Sequence, residues 1–197
     1  FLANLDAIIL EEAFGCKVEL IPGATVTTFA SMETKAEPDI APELWINGVM
    51  ERFNAAVEKG DIISGTKLIQ GASEGWFISQ NMHEKHPELK TVDDVLAHPE
   101  LFPNKENPGN GAFYGCPSGW GCQISNINLA KKGAFDFEAH KFDMVDPGSG
   151  AALAASIAKA YERKEPWFGY YWQPTGVLYK YPMHKLDWGV PHDRENW

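Results

Sequence analysis

The chain has 197 residues, a formal net charge of -10 and ordinary proportions of apolar and charged residues, so it can bury a sizeable core and is not a disordered segment. Its 17 Lys and Arg against 27 Asp and Glu are scattered, which argues against a nucleic-acid surface and fits a small cationic or zwitterionic ligand better. No apolar run is long enough to cross a membrane, and the first residues lack the basic-then-apolar pattern of a signal peptide.

In chain order, Leu2, Leu5, Ile8, Ile9 and Ala13 recur at helical spacing, with Gly15 placed as a C-terminal cap. KVELIPG reads as a short strand running into a turn. An α/β chain that opens on a helix is expected to lack the strand that would precede it. A short helix follows in TVTTFASMETK, then a Pro-punctuated run to Trp45, then a helix in NGVMERFNAAVEKG ending at Gly60.

KLIQGASEGWFISQNM predicts a strand on either side of Gly71 to Gly75, and TVDDVLAHPELF a helix with Thr91 as N-cap and Asp94 at the third helical position. NKENPGNGA is a loop, QISNINLAKKG a helix ended by Gly133, and HKFDMVD a strand. SGAALAASIAKAYERKE predicts the clearest helix, capped by Ser149. WFGYYWQPTGVLYKY predicts an aromatic strand stopped by Pro174 and followed by a second strand or an extended connection. The alternation of helix and strand points to an α/β protein with a mainly parallel sheet.

Several motifs fall away on inspection. His83, Glu84 and His86 in MHEKHP miss the zinc-protease spacing, and Pro87 breaks the helix, so a solvated helix end is the better reading. NKENPGN holds one carboxylate, which is thin for a calcium loop. PGSGAA resembles a phosphate cradle but lacks the Gly-Lys-Ser/Thr, and an N-cap turn explains it. No Ser or Cys lies in a nucleophile motif, no metal set is complete, and no cofactor is expected.

Among three cysteines, Cys116 and Cys122 lie close enough for a turn to join them. A disulfide there, with the oxidising compartment it implies, is the expectation; the alternative is two buried thiols in a cytosolic loop. Cys16 reads as a small buried hydrophobe.

The placement of the tryptophans is more informative. Trp45, Trp76, Trp120 and Trp172 each stand beside turn-forming residues at the mouth of an element, in PELW, EGW, SGWG and WQP. For any one of them core or rim packing is the commoner role. Four in the same context point to a cage, because indole faces attract a cation and several together hold a quaternary ammonium. In the turn Gly119 to Cys122, glycines expose the backbone N–H groups of Gly121 and Cys122 at a helix N-terminus, which favours an anion. One loop thus offers a face to a cation and donors to a carboxylate, as a small zwitterion requires.

Over nearly its whole length the chain resembles the substrate-binding proteins of osmoprotectant ABC importers, the glycine betaine and proline betaine binders with their choline and trimethylamine N-oxide relatives. The resemblance rests on PELW, GASEGWFIS, GCPSGWGC and ERKEPWFGYYWQP, of which GCPSGWGC and YYWQP are the specific ones. It implies a two-lobed periplasmic-binding-protein-like clamp of type II that closes on its ligand, presents it to a membrane permease and catalyses nothing. It assigns Trp45, Trp120 and Trp172 to an aromatic box, Trp76 to a fourth wall, and the Gly121 and Cys122 amides to the carboxylate.

Where some betaine binders carry a carboxylate-gripping His four residues after the first box tryptophan, this chain has Val49, leaving Asn47 and Glu43 as the nearby polar candidates. Glu43 or Glu74 would favour choline or a protonated N-oxide; Asn47 suits a carboxylate. Glycine betaine is the expected ligand, with trimethylamine N-oxide or choline as alternatives, and an enzyme acting on a methylated amine as the rival from another class. The expected lobes are residues 1–70, with 176–197 returning to them, and residues 71–175. The expectation is an incomplete first lobe, a cut product or a chain completed by another copy, since otherwise the sheet would keep an unpaired edge and an exposed apolar face.

Overall fold

The computed structural model describes residues 2–189. The described residues divide into two compact units, one of residues 2–70 with 119–124, the other of residues 71–118 with 125–189.

The first unit is helical. Its elements are α1 (Leu2–Phe14), α2 (Thr25–Lys35), a 3-10 turn over Ile46–Val49 and α3 (Met50–Lys59). α2 and α3 each end in a left-handed residue, Ala36 and Gly60, whose N–H returns to a carbonyl of the last turn. Phe29, Ala56 and Ile62 form its core, with Met32, Leu44, Val49, Phe53 and Val57 packed around them. KVELIPG and the segment before Gly71, expected as strands, form no ladder among the described residues. Strand pattern alone does not hold a strand, because its N–H and C=O groups need a partner to leave water. Ile8, Ile9, Leu20, Ile21, Ile63 and Leu68 are accordingly exposed.

The second unit carries the sheet. β1 (Ser73–Ser79), α4 (Gln80–Lys85), α5 (Val92–Leu96), β2 (Gly111–Tyr114), α6 (Gly121–Leu129), β3 (Phe142–Val145), α7 (Gly150–Arg163), β4 (Phe168–Gln173), α8 (Gly176–Lys180) and β5 (Met183–Lys185) follow in order, although the first turn of α6 groups with the first unit. The strand order is β3-β2-β4-β1-β5. β2 runs parallel to β3 and β4, whereas β1 is antiparallel to β4 and β5, so the sheet is mixed rather than mainly parallel.

Local chemistry explains the element ends. Thr91 and Asp94 form a reciprocal capping box on α5, and Ser149 Oγ accepts from Ala152 N at the start of α7, so PGSGAA is an N-cap turn. Thr175 Oγ accepts from Leu178 N, and this cap turns the stretch after Pro174 into a helix rather than the expected strand or extended connection. In the NKENPGN loop the side-chain amides of Asn104, Asn107 and Asn110 all donate to the Asp143 carboxylate at 2.8–2.9 Å. Burial pushes that carboxyl up, but the three donors outweigh it and hold it below the usual carboxylate range.

Residues 176–189 stay with the second unit instead of returning to the first: β5 pairs Lys185 with Phe77 and Met183 with Ser79 on the edge of β1. The remainder of the expected return, 190–197, lies outside the described residues. Gly169 is required where β4 meets β2, since a Cβ there would lie 2.5 Å from the Tyr114 carbonyl oxygen.

Candidate functional site

In the first unit, Trp45 is the extended residue that leads into the 3-10 turn, and it is half-buried. Asn47 follows on that turn and is exposed, lining a shallow depression with Gly48, Val49, Met50, Glu51 and Arg52. Glu43 is exposed and accepts from the Leu2 N–H at 3.4 Å.

The same unit holds the turn around Trp120. Gly119 sits at φ +87, a conformation that favours glycine, and its N–H donates to Gln123 Oε1 at 3.2 Å. Trp120, half-buried, precedes the first helical residue, and its carbonyl accepts from Gln123 N, so Gly121 and Cys122 are the first two residues of α6. Amides at that position point out of the helix, where its dipole favours an anion. Gly48 and Gly121 bring the two segments together: a Cβ added to Gly48 would lie 3.8 Å from the Gly121 carbonyl oxygen.

Cys116 and Cys122 are disulfide-bonded, and Cys16 is a free, exposed thiol rather than the buried hydrophobe expected of it. The bridge spans the Trp120 turn. It restricts the conformations open to that turn, which lowers the ordering cost of anything that binds there.

In the second unit, Trp172 stands half-buried near the end of β4, its ring stacked on Tyr171 with centroids 4.3 Å apart. Antiparallel register places Glu74 directly opposite it. The Tyr170 hydroxyl donates to Glu74 Oε2 at 2.6 Å, and burial followed by that carboxylate's charge raises the phenol well above its ordinary range. Burial alone pushes Tyr171 up to about 12.

Trp76 has a different environment from the other three. It is 1 % exposed, and rings of Phe113, Phe135, Phe137, Phe168 and Trp188 surround it with centroids 4.5–5.8 Å away. Its indole N–H donates to Asn126 Oδ1 at 2.9 Å. Such a ring is core packing in this conformation and offers no face to a ligand.

Sequence reasoning did not single out Tyr170 or Asn126. Period-two alternation could have found Tyr170, which shares a strand face with Trp172; nothing local marks Asn126 as the partner of a tryptophan fifty positions earlier.

The fold is the α/β fold of periplasmic binding proteins, present here in part. It matches an ABC-transporter choline binding protein in complex with choline (TM-score 0.74, 20% identity), over 95% of this chain and 60% of that one. It also matches a glycine betaine, L-proline ABC transporter binding protein from Borrelia burgdorferi (TM-score 0.70, 16% identity, 94% of this chain and 63% of that one). A third match is the lactococcal OpuAC in its closed-liganded conformation complexed with glycine betaine (TM-score 0.64, 13% identity, 94% and 65%). The chain thus spans about 60% of the length of the first of these structures.

Residues 1–195 match the substrate binding domain of the ABC-type glycine betaine transport system, and the chain belongs to that family. It is a family of transport substrate-binding proteins, not of enzymes. Among the described residues no helix is long and apolar enough to cross a membrane.

Proposed function

We propose that the chain captures a small quaternary or trimethylated ammonium osmolyte, such as glycine betaine, outside the cytoplasm and delivers it to the permease of an ABC importer. The observation that carries this reading is the approach of Gly48 to Gly121, which sets the Trp45–Val49 segment beside the disulfide-bracketed Trp120–Cys122 turn. In the first unit Trp45 and Trp120 supply aromatic faces for an ammonium group, and in the second unit Trp172 carries a half-buried face of the same kind.

A methylated ammonium donates no strong hydrogen bond, so ring quadrupoles are its natural partners, at about 0.5–2 kcal/mol per face. The Gly121 and Cys122 amides, at the positive end of α6, suit a ligand carboxylate, with charge-assisted bonds of about 1.5–3 kcal/mol each. Asn47 is the side-chain donor nearest to Trp45 in sequence, and Glu43 the nearest acceptor. Trp76 is left out of the cage because its faces are covered. The disulfide supports an oxidising, extracytoplasmic setting.

The test is calorimetric titration of the wild type and Trp120→Ala with glycine betaine, choline and trimethylamine N-oxide. The expected result is binding by the wild type and at least a tenfold loss, about 1.4 kcal/mol, in the variant. Equal affinity in the two proteins would refute the cage.

A further inference from the structure

We infer that Glu74 is a selectivity-determining residue that favours trimethylammonium ligands without a carboxylate over zwitterionic ones; this rests on the capture reading above. The inference comes from the strand register of the second unit. β1 and β4 are antiparallel, with Glu74 opposite Trp172 and Trp76 opposite Tyr170. Directly paired residues share a sheet face, as do alternate residues along a strand, so all four side chains line the same face. Trp76 and Tyr170 form its buried part, and Glu74 and Trp172 its half-buried end.

The geometry fixes the carboxylate. Tyr170 donates to Oε2 at 2.6 Å, and the Tyr170 and Trp172 rings lie 6.4 Å apart at 30°. Carboxylate, phenol and indole are therefore held as one cluster. A carboxylate accepts up to about four hydrogen bonds, so the bond from Tyr170 leaves capacity for a ligand hydroxyl.

The consequence for a ligand is one of sign. A cation on the Trp172 face gains the attraction of a neighbouring negative charge in addition to the ring quadrupole. A ligand carboxylate attached a few bonds from the ammonium nitrogen is repelled by the same charge, whereas a hydroxyl at that point can donate to it. Glu74 thus strengthens choline-like binding and weakens betaine-like binding. Lys185 opposes this effect from the other face of the sheet, where its ammonium donates to Ser73 Oγ at 3.2 Å. Burial lowers the proton affinity of Lys185, and the Glu74 charge partly restores it, so the two groups sense each other.

Calorimetry with choline and glycine betaine on the wild type, Glu74→Gln and Tyr170→Phe tests the inference. Glu74→Gln should shift the ratio of the two dissociation constants about fivefold or more against choline. Tyr170→Phe, which keeps the charge and removes the hydrogen bond, should leave the ratio within about twofold. The neutral choline isostere 3,3-dimethylbutan-1-ol should respond to Glu74→Gln far less than choline does. An unchanged ratio in Glu74→Gln, with both ligands still bound, overturns the role of Glu74 and leaves the capture reading intact. A wild type that binds neither ligand overturns both. Should Glu74→Gln fail to fold, Lys185→Met carries the test: removal of the opposing charge must raise the preference for choline, and no change or a fall overturns the inference.

Discussion

Trp76→Phe separates a core tryptophan from a ligand-binding one. The phenyl ring keeps most of the contacts with Phe113, Phe135, Phe137 and Phe168 but has no N–H to give to Asn126 Oδ1. Asn126 is 2 % exposed, and its Nδ2 already has no hydrogen-bond partner, so in the variant both amide atoms are unsatisfied and flipping the amide restores neither. Leaving a buried acceptor unsatisfied costs about 1–3 kcal/mol. The smaller ring adds about 1 kcal/mol of lost packing.

The total, about 2–4 kcal/mol, corresponds to a fall in melting temperature of about 5–15 °C for a chain of this size. The assay is thermal denaturation by circular dichroism alongside ligand calorimetry. The expected outcome is a clear loss of stability with ligand affinity within about twofold of wild type. Adding Asn126→Leu should recover part of the stability, because replacing both partners by apolar groups removes the orphan. A variant as stable as the wild type that has lost tenfold or more in affinity would refute the reasoning and return Trp76 to the cage.

Two further outcomes follow from the loop and the sheet edge. Reduction of the Cys116–Cys122 bridge, or the Cys116→Ser/Cys122→Ser pair, should cost about 2 kcal/mol of stability for so short a loop and weaken ligand binding through the Trp120 turn; denaturant midpoints and titrations with and without reductant measure both. His184 stacks on His83 with ring centroids 3.5 Å apart, and burial, then the His83 charge, lowers its pKa below the ordinary 6.5. The unfolded chain therefore takes up the proton first, so this contribution to stability is whole above about pH 6.5 and is lost as the pH falls through the lower folded value. Denaturation midpoints at about pH 7.5 and 5.5 should differ less in His184→Gln than in the wild type; an equal difference would refute the assignment.

Much of this molecule was legible in the chain alone, and the misses have common physical causes. Helices were readable where a cap and a run of helix formers coincide, as at Ser149 and Thr91, because those signals act within a few residues. The turn after Pro174 was misread because the Thr175 cap is a weaker mark than the aromatic run before it. KVELIPG has the pattern of a strand, but a strand forms only against another, and pattern carries no information about whether a partner is present. The parallel sheet expected from alternation became mixed because β1 runs antiparallel to both its neighbours, β4 and β5, a choice of topology rather than of propensity.

The candidate site divides the same way. GCPSGWGC by itself determined a glycine-framed tryptophan bracketed by two cysteines at a helix start, since each of those features is set by neighbours a few residues away. Four tryptophans beside turns looked equivalent in one dimension. Only the tertiary structure decided that Trp76 is enclosed by five aromatic rings, while Trp45 and Trp120 stay half-buried on segments that meet at Gly48 and Gly121. Burial is a sum over residues distant in sequence, and so is the pairing of Glu74 with Trp172 across β1 and β4.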